Sequence, residues 1–180
     1  MSIAYPPETV TLRDGTPVTI RAIRPDDAPR LQALHARLSA ESIFLRFLGQ
    51  LKTLPLEEAQ RLAHVDYEKS MALVATPEQD GEEPIIGVAR YAASSQAEPD
   101  AAEAAIVVDD AFQGRGLGTL LVARLVAYAR AHGIRYFLAT VYHSNAEIMR
   151  FIQRSGLPSE KRREAGVWEV RIRLDTEPAS

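Results

Sequence analysis

Three of the ten glycines in this chain stand at alternate positions, Gly114, Gly116 and Gly118, inside the stretch VVDDAFQGRGLGTLLVARLV that runs from Val107 to Val126. An apolar run leads into them. Beyond them Leu117, Leu120, Leu121, Leu125 and Val126 recur at helical spacing up to about Ala131, and Gly133 stops the pattern. The glycines therefore turn the chain from a strand into a helix. A turn without β-carbons leaves its backbone N–H groups open to close approach. The first N–H groups of a helix lack partners within it and lie at the positive end of its dipole, so the unit faces an anion. Strand, turn and helix in that order also demand a sheet for the helix to cover.

The rest of the chain supplies one. TVTLRDGTPVTIRAIRP holds two alternating β-branched runs about Asp14-Gly15, which predicts a hairpin closed by a type I′ turn. DDAPRLQALHARLS places Ala28, Leu31, Leu34 and Leu38 on one helical face. AESIFLRFLG predicts a second short helix after Ser39, and LPLEEAQRLAHV a third, opened by Pro55 with Glu57 and Glu58 in its first turn. SMALVATP, PIIGVARYAA and AEAAIVV read as strands, and RYFLATVYH, uncharged after Arg135, as a strand central in the sheet. SNAEIMRFIQRSG predicts a helix with Ser144 and Glu147 in capping-box spacing and Gly156 as its stop, before a last strand, VWEVRIRL. With 180 residues, 46% of them hydrophobic, the chain is expected to form one domain, 1–180, with flexible ends at 1–7 and 175–180. The order of elements predicts a mixed α/β (α+β) architecture with helices on both faces of the sheet.

Which anion the turn holds is open to three readings. A P-loop needs a Lys and then a Ser or Thr after its last glycine, but Gly118 is followed by Thr119-Leu120. A dinucleotide fingerprint needs its third glycine one place later and an acid about 20 residues on. No Asp or Glu stands between Asp110 and Glu147. That acid-free window carries Arg115, Arg124, Arg130 and Arg135, which predicts a positive field local to the turn and suits a pyrophosphate.

Gln113-Gly114-Arg115-Gly116-Leu117-Gly118 resembles Q/R-x-x-G-x-G/A, the acyl-CoA motif of the GNAT N-acetyltransferases. The resemblance extends over about residues 8 to 174 and includes the acid-ended strand AIVVDD and Asn145 after the next strand. It implies the GNAT fold, a mixed, mostly antiparallel sheet with a splayed central strand pair. Gln113 to Thr119 would hold the coenzyme pyrophosphate. The strand from Ala104 to Val108, bulged, would splay from Tyr136–Tyr142 and let main-chain groups of Ile106, Val107 and Val108 take the pantetheine as an added strand. A backbone N–H there would stabilise the oxyanion of acyl transfer. Asn145 would contact the coenzyme.

Glu103 stands where related lysine acetyltransferases carry a general base. Burial beside an apolar strand is expected for it, with Glu98 and Asp100 drawing in a cationic acceptor. The tyrosine that many members place seven residues after the asparagine is Ile152 here, so the leaving thiolate goes without an acid or borrows Tyr142 or His143. LRDGTPVTIRAIRPDD, LRFLG, AHVDYEKSMALVAT and IIGVARY look like the acetyltransferase domain of bacterial Pat-type protein lysine acetyltransferases. That likeness implies acetyl-CoA as cosubstrate and a protein lysine as acceptor, one on a metabolic enzyme. A small amine as acceptor, and an acyl-CoA sensor without turnover, stand as alternatives.

Composition narrows the partners. A formal charge of −3 argues against nucleic acid or an acidic membrane surface. No cysteine is present, and His35, His64, His132 and His143 lack a ligand spacing, so no metal is expected. No basic and apolar leader opens the sequence and no apolar run nears the roughly 20 residues of a membrane span, so the expected location is the cytoplasm.

Overall fold

The structure, a computed structural model, describes residues 5–39, 53–77, 83–93 and 96–175. Ser70–Pro77 (β3) is buried along nearly its whole length, as a strand with apolar residues on both faces must be when helices cover both. It lies inside an eight-stranded sheet ordered β1-β2-β3-β4-β5-β6-β8-β7. The other strands are β1 (Glu8–Thr11), β2 (Pro17–Ala22), β4 (Gly87–Ala93), β5 (Ala101–Val108), β6 (Tyr136–Tyr142), β7 (Ser159–Glu164) and β8 (Val167–Arg173). Every neighbouring pair is antiparallel except β5–β6. Four α-helices occur among the described residues: α1 (Ala28–Arg37), α2 (Leu56–Ala63), α3 (Leu117–Ala131) and α4 (Ala146–Arg154). The helix expected at AESIFLRFLG lies outside the described residues.

Alternate side chains of a strand face opposite sides, and the core divides accordingly. Met71, Leu73 and Ala75 pack with Leu117, Leu121 and Leu125 of α3, whereas Ala72 and Val74 pack with Leu31 and Leu34 of α1 and Ala59 and Ala63 of α2. On the α3 side, α4 covers the far half of the sheet, setting Ile148, Met149 and Ile152 against Val141, Val170 and Trp168. A buried ion pair ties β2 to the start of α1. Asp27, fully buried, accepts from both terminal nitrogens of Arg21 at 2.8 Å and from the Arg24 amide at 2.8 Å. Burial alone would push the Asp27 carboxyl up, but these donors outweigh it and hold the group below the ordinary aspartate value.

Local readings fail at three places. Among non-glycine residues only Tyr67 and Ala165 have positive φ in the described chain, so Asp14 cannot sit in a type I′ turn. Gly15 donates to the Leu12 carbonyl and Leu12 to that of Thr16, with Gly15 at φ +88°, a longer loop that closes with one left-handed residue. The positive-φ two-residue turn occurs instead at Ala165-Gly166, joining β7 to β8. β7, Ser-Glu-Lys-Arg-Arg-Glu, has no apolar alternation to announce it because it is an edge strand exposed throughout. The N-cap of α4 is Asn145, whose Oδ1 accepts from the Ile148 amide at 3.2 Å, not Ser144. Near the two limits of the described chain, Tyr5 packs edge-on against Tyr128, and Asp175 accepts from Arg135 and Arg173.

Candidate active site

β5 and β6 run parallel and pair over three residues, Ala101↔Tyr136, Ala102↔Phe137 and Glu103↔Leu138. Beyond Glu103 the strands part. β6 keeps β8 as its partner to Tyr142, and β5 keeps β4 to Val108 in unbroken register, so the expected splay is present while the expected bulge is not. The fork leaves one edge of β5 from Ala104 to Val108 without a strand partner, and a cleft of about 510 Å³ opens against it. Its walls are β5 and α3 on one side and Ala139, Val141 and α4 on the other. A volume of this size suits a small-molecule ligand, for which roughly 300–1,000 Å³ is usual.

The glycine turn forms the mouth. Ile106, Val107, Val108, Gln113, Gly114, Gly116, Leu117, Gly118, Thr119 and Asn145 all line the cleft. Gln113 donates its side-chain amide to the Val108 carbonyl at 3.0 Å, which folds the loop back onto the strand end. Gly116 is the N-cap of α3 at φ +88°, and as glycine it has no side chain with which to satisfy the first-turn amides. Gly118 stands where a β-carbon would lie 3.4 Å from Ile106 and 3.7 Å from Phe151, across the cleft. One glycine gives conformation and the other gives room.

The positive field expected from four arginines does not form. Arg124 pairs with Glu8, Arg135 with Asp175 at 3.0 Å, and Arg115 with Asp14 at 3.1 Å while resting over the Phe112 ring. None of the four lines the cleft; Arg13 and Arg154 do. The acids that pair with Arg124, Arg115 and Arg135 lie outside the acid-free window, on β1, at the tip of the first hairpin and at the chain's last described residue.

Glu103 is exposed rather than buried, and it is the last paired residue at the fork. Ala102 and Ala104 belong to the α3 side of the sheet, so alternation turns Glu103 to the opposite face, and it does not line the cleft. Its acidic neighbours are engaged, Glu98 with Arg171 at 2.7 Å and Asp100 with Arg135 at 3.9 Å. Among the described residues no cation pairs with Glu103. Ile152 is buried between α4 and the sheet and lines the cleft, leaving no acid at that place. His143 spends its Nε2 on the Val167 carbonyl at 3.0 Å and packs against Trp168, and neither it nor Tyr142 lines the cleft.

Among the described residues no cluster of three or more His, Asp or Glu side chains is placed to hold a metal, and no helix is long and apolar enough to cross a membrane. A model of the acetyltransferase (GNAT) family matches residues 39–157. An acetyltransferase of Pseudomonas aeruginosa is 38% identical over 125 residues, 69% of this chain and 66% of that one. The acetyltransferase Pat of Mycolicibacterium smegmatis is 31% identical over 151 residues, 83% of this chain and 44% of that one. The chain thus spans only part of either relative's length. The crystal structure of the GNAT domain of S. lividans PAT superposes with a TM-score of 0.83 at 32% identity, covering 93% of this chain and 96% of that domain.

Proposed function

The chain belongs to the GNAT acetyltransferase family, and from the way its cleft is built we propose that it moves the acetyl group of acetyl-CoA to a primary amine, a lysine on a protein surface, with Glu103 as general base. Acetyl-CoA supplies an activated acyl thioester when bound. The observation that carries the reading is the fork: an unpaired edge of β5 ending in a glycine turn and an uncapped helix N-terminus, with a free carboxylate at its base.

The free β5 edge offers main-chain donors and acceptors to an extended arm bearing amides, as it would to another strand. The glycine turn and the first turn of α3 line the cleft mouth, where the amides of an uncapped helix N-terminus favour phosphates. Gly118 keeps the passage between Ile106 and Phe151 open. A lysine amine, with a pKa near 10.4, arrives protonated and must lose a proton before it can attack. Glu103, on the sheet face opposite the cleft, accepts that proton as the amine approaches the fork from its own side. The departing thiolate finds no tyrosine, because Ile152 fills that place.

The acceptor side favours a large partner. Alternation puts Leu138, Thr140 and Tyr142 on the face of β6 opposite α4, and Thr140 is exposed at the rim of the cleft. The likeness to Pat, a protein named as an acetyltransferase, supports acetyl transfer, and the acceptor, a lysine of a metabolic enzyme, follows from the resemblance of the sequence to the Pat-type domain. The test is a thiol-release assay with acetyl-CoA against a panel of proteins and small amines, run on the parent and on Glu103→Gln. Turnover should fall by roughly 10²-fold or more in the variant, with acetyl-CoA affinity unchanged. Full turnover in the variant overturns the base assignment, and turnover of free amines alone overturns the protein acceptor.

A further inference from the structure

Charge at the cleft mouth comes from an unexpected element. The tip of the β1–β2 hairpin reaches the glycine turn: the Arg13 amide donates to the Arg115 carbonyl at 3.1 Å, and Asp14 pairs with the Arg115 guanidinium at 3.1 Å. The Arg13 side chain lies directly on Gly116, so that a β-carbon there would meet its Nε at 3.2 Å and its Cγ at 3.5 Å. Arg13 is exposed, lines the cleft, and has no acidic partner among the described residues. Arg154, which also lines the cleft, belongs to the last turn of α4, away from the turn that holds the orphan amides.

We propose that the β1–β2 hairpin is part of the coenzyme site, with Arg13 supplying the guanidinium for a coenzyme phosphate while Asp14 holds Arg115 out of that role. The proposal rests on the acetyl-CoA reading above. A guanidinium beside a helix N-terminus gives two donors of fixed geometry to a phosphate already favoured by the dipole, and such charge-assisted bonds are the stronger kind. The same contact accounts for Gly116, since any side chain there would displace Arg13 as well as strain the backbone. It also couples the N-terminal hairpin, about a hundred residues away in sequence, to the loading of the cleft.

The experiment is calorimetric titration of acetyl-CoA into the parent, Arg13→Gln and Arg115→Gln at low salt and at about 1 M NaCl. Arg13→Gln should weaken binding about tenfold at low salt, Arg115→Gln less than threefold, and the Arg13 difference should shrink toward unity at high salt because screening acts on an exposed charge pair. Arg13→Lys should recover part of the loss. Equal affinity of the parent and Arg13→Gln, a larger loss for Arg115→Gln, or a loss indifferent to salt overturns the assignment of Arg13. Absence of acetyl-CoA binding to the parent overturns the coenzyme reading itself, and this proposal with it.

Discussion

Alanine at Gly116 and alanine at Gly118 should change stability in opposite directions. Gly116 sits at φ +88°, where a β-carbon costs about 1–2 kcal/mol, and the added atom would also press on Arg13 at 3.2 Å. Gly118 lies in the first turn of α3 with no positive φ, and its added β-carbon would meet Ile106, Phe151 and Val108 at 3.4, 3.7 and 4.0 Å, ordinary contact distances. There alanine gains helix propensity, up to about 1 kcal/mol and less at a first-turn position. At about 2–4 °C per kcal/mol for a chain of this size, Gly116→Ala should lower the melting temperature by about 2–8 °C and Gly118→Ala should raise it by up to about 4 °C. Binding sorts differently. Gly118→Ala keeps acetyl-CoA affinity within about threefold, whereas Gly118→Val sends γ-carbons into the passage between β5 and α4 and weakens it tenfold or more, the scale of overpacking by one or two methyl groups. Thermal or urea denaturation monitored by circular dichroism, with titration of acetyl-CoA, reads both. Destabilisation by Gly118→Ala beyond about 1 kcal/mol, or an unchanged Gly116→Ala, would refute the division into conformation and room.

Two further outcomes concern the frame around the site. Asp27→Ala leaves the buried Arg21 with only the more distant Glu83, at 3.9 Å, and should cost about 3–5 kcal/mol in urea unfolding at pH 7, whereas Arg21→Met with Asp27→Leu should cost far less; equal losses would mean that the pair acts through packing alone. Because the folded Asp27 carboxyl is held below its unfolded value near 3.9, its contribution is complete above that pH and disappears as pH falls through the folded value. The penalty of Asp27→Asn should therefore shrink below about pH 4, and a penalty constant down to pH 2 contradicts it. Asn145→Ala removes the cap on Ile148 and should cost about 1 kcal/mol, while Asn145→Ser, which can still accept that bond, should restore most of it.

How far the sequence carried depends on the range of the interaction concerned. Strands with apolar faces, the helix after the glycines and the strand-turn-helix unit were legible because periodicity and glycine placement are local, and the local chain alone satisfies them. β7 was not, since an edge strand exposed on both faces needs no apolar alternation and takes its partner from β8. The dipeptide Asp14-Gly15 predicts a type I′ turn, yet loop length decides turn type, and the sequence does not mark where pairing stops.

Electrostatics was the least legible level. The acid-free window from Ala111 to Ala146 is a fact about chain order, and charge balance is settled in space. Glu8, Asp14 and Asp175, all outside that window, neutralise three of its four arginines, while Arg13, from the same hairpin as Asp14, is delivered to the glycine turn. The cation beside the glycine turn is therefore a different residue from the four expected, and Asp110 and Glu147 line the same cleft. On the proposal above, the hairpin exchanges one guanidinium for another: Asp14 and the Phe112 ring hold Arg115, while Arg13 has no acidic partner among the described residues. Asp14→Asn would therefore release Arg115 beside the turn, and in an Arg13→Gln background it should recover part of the lost acetyl-CoA affinity. A double variant no tighter than Arg13→Gln alone would show that geometry, and not the pairing with Asp14, keeps Arg115 from the cleft.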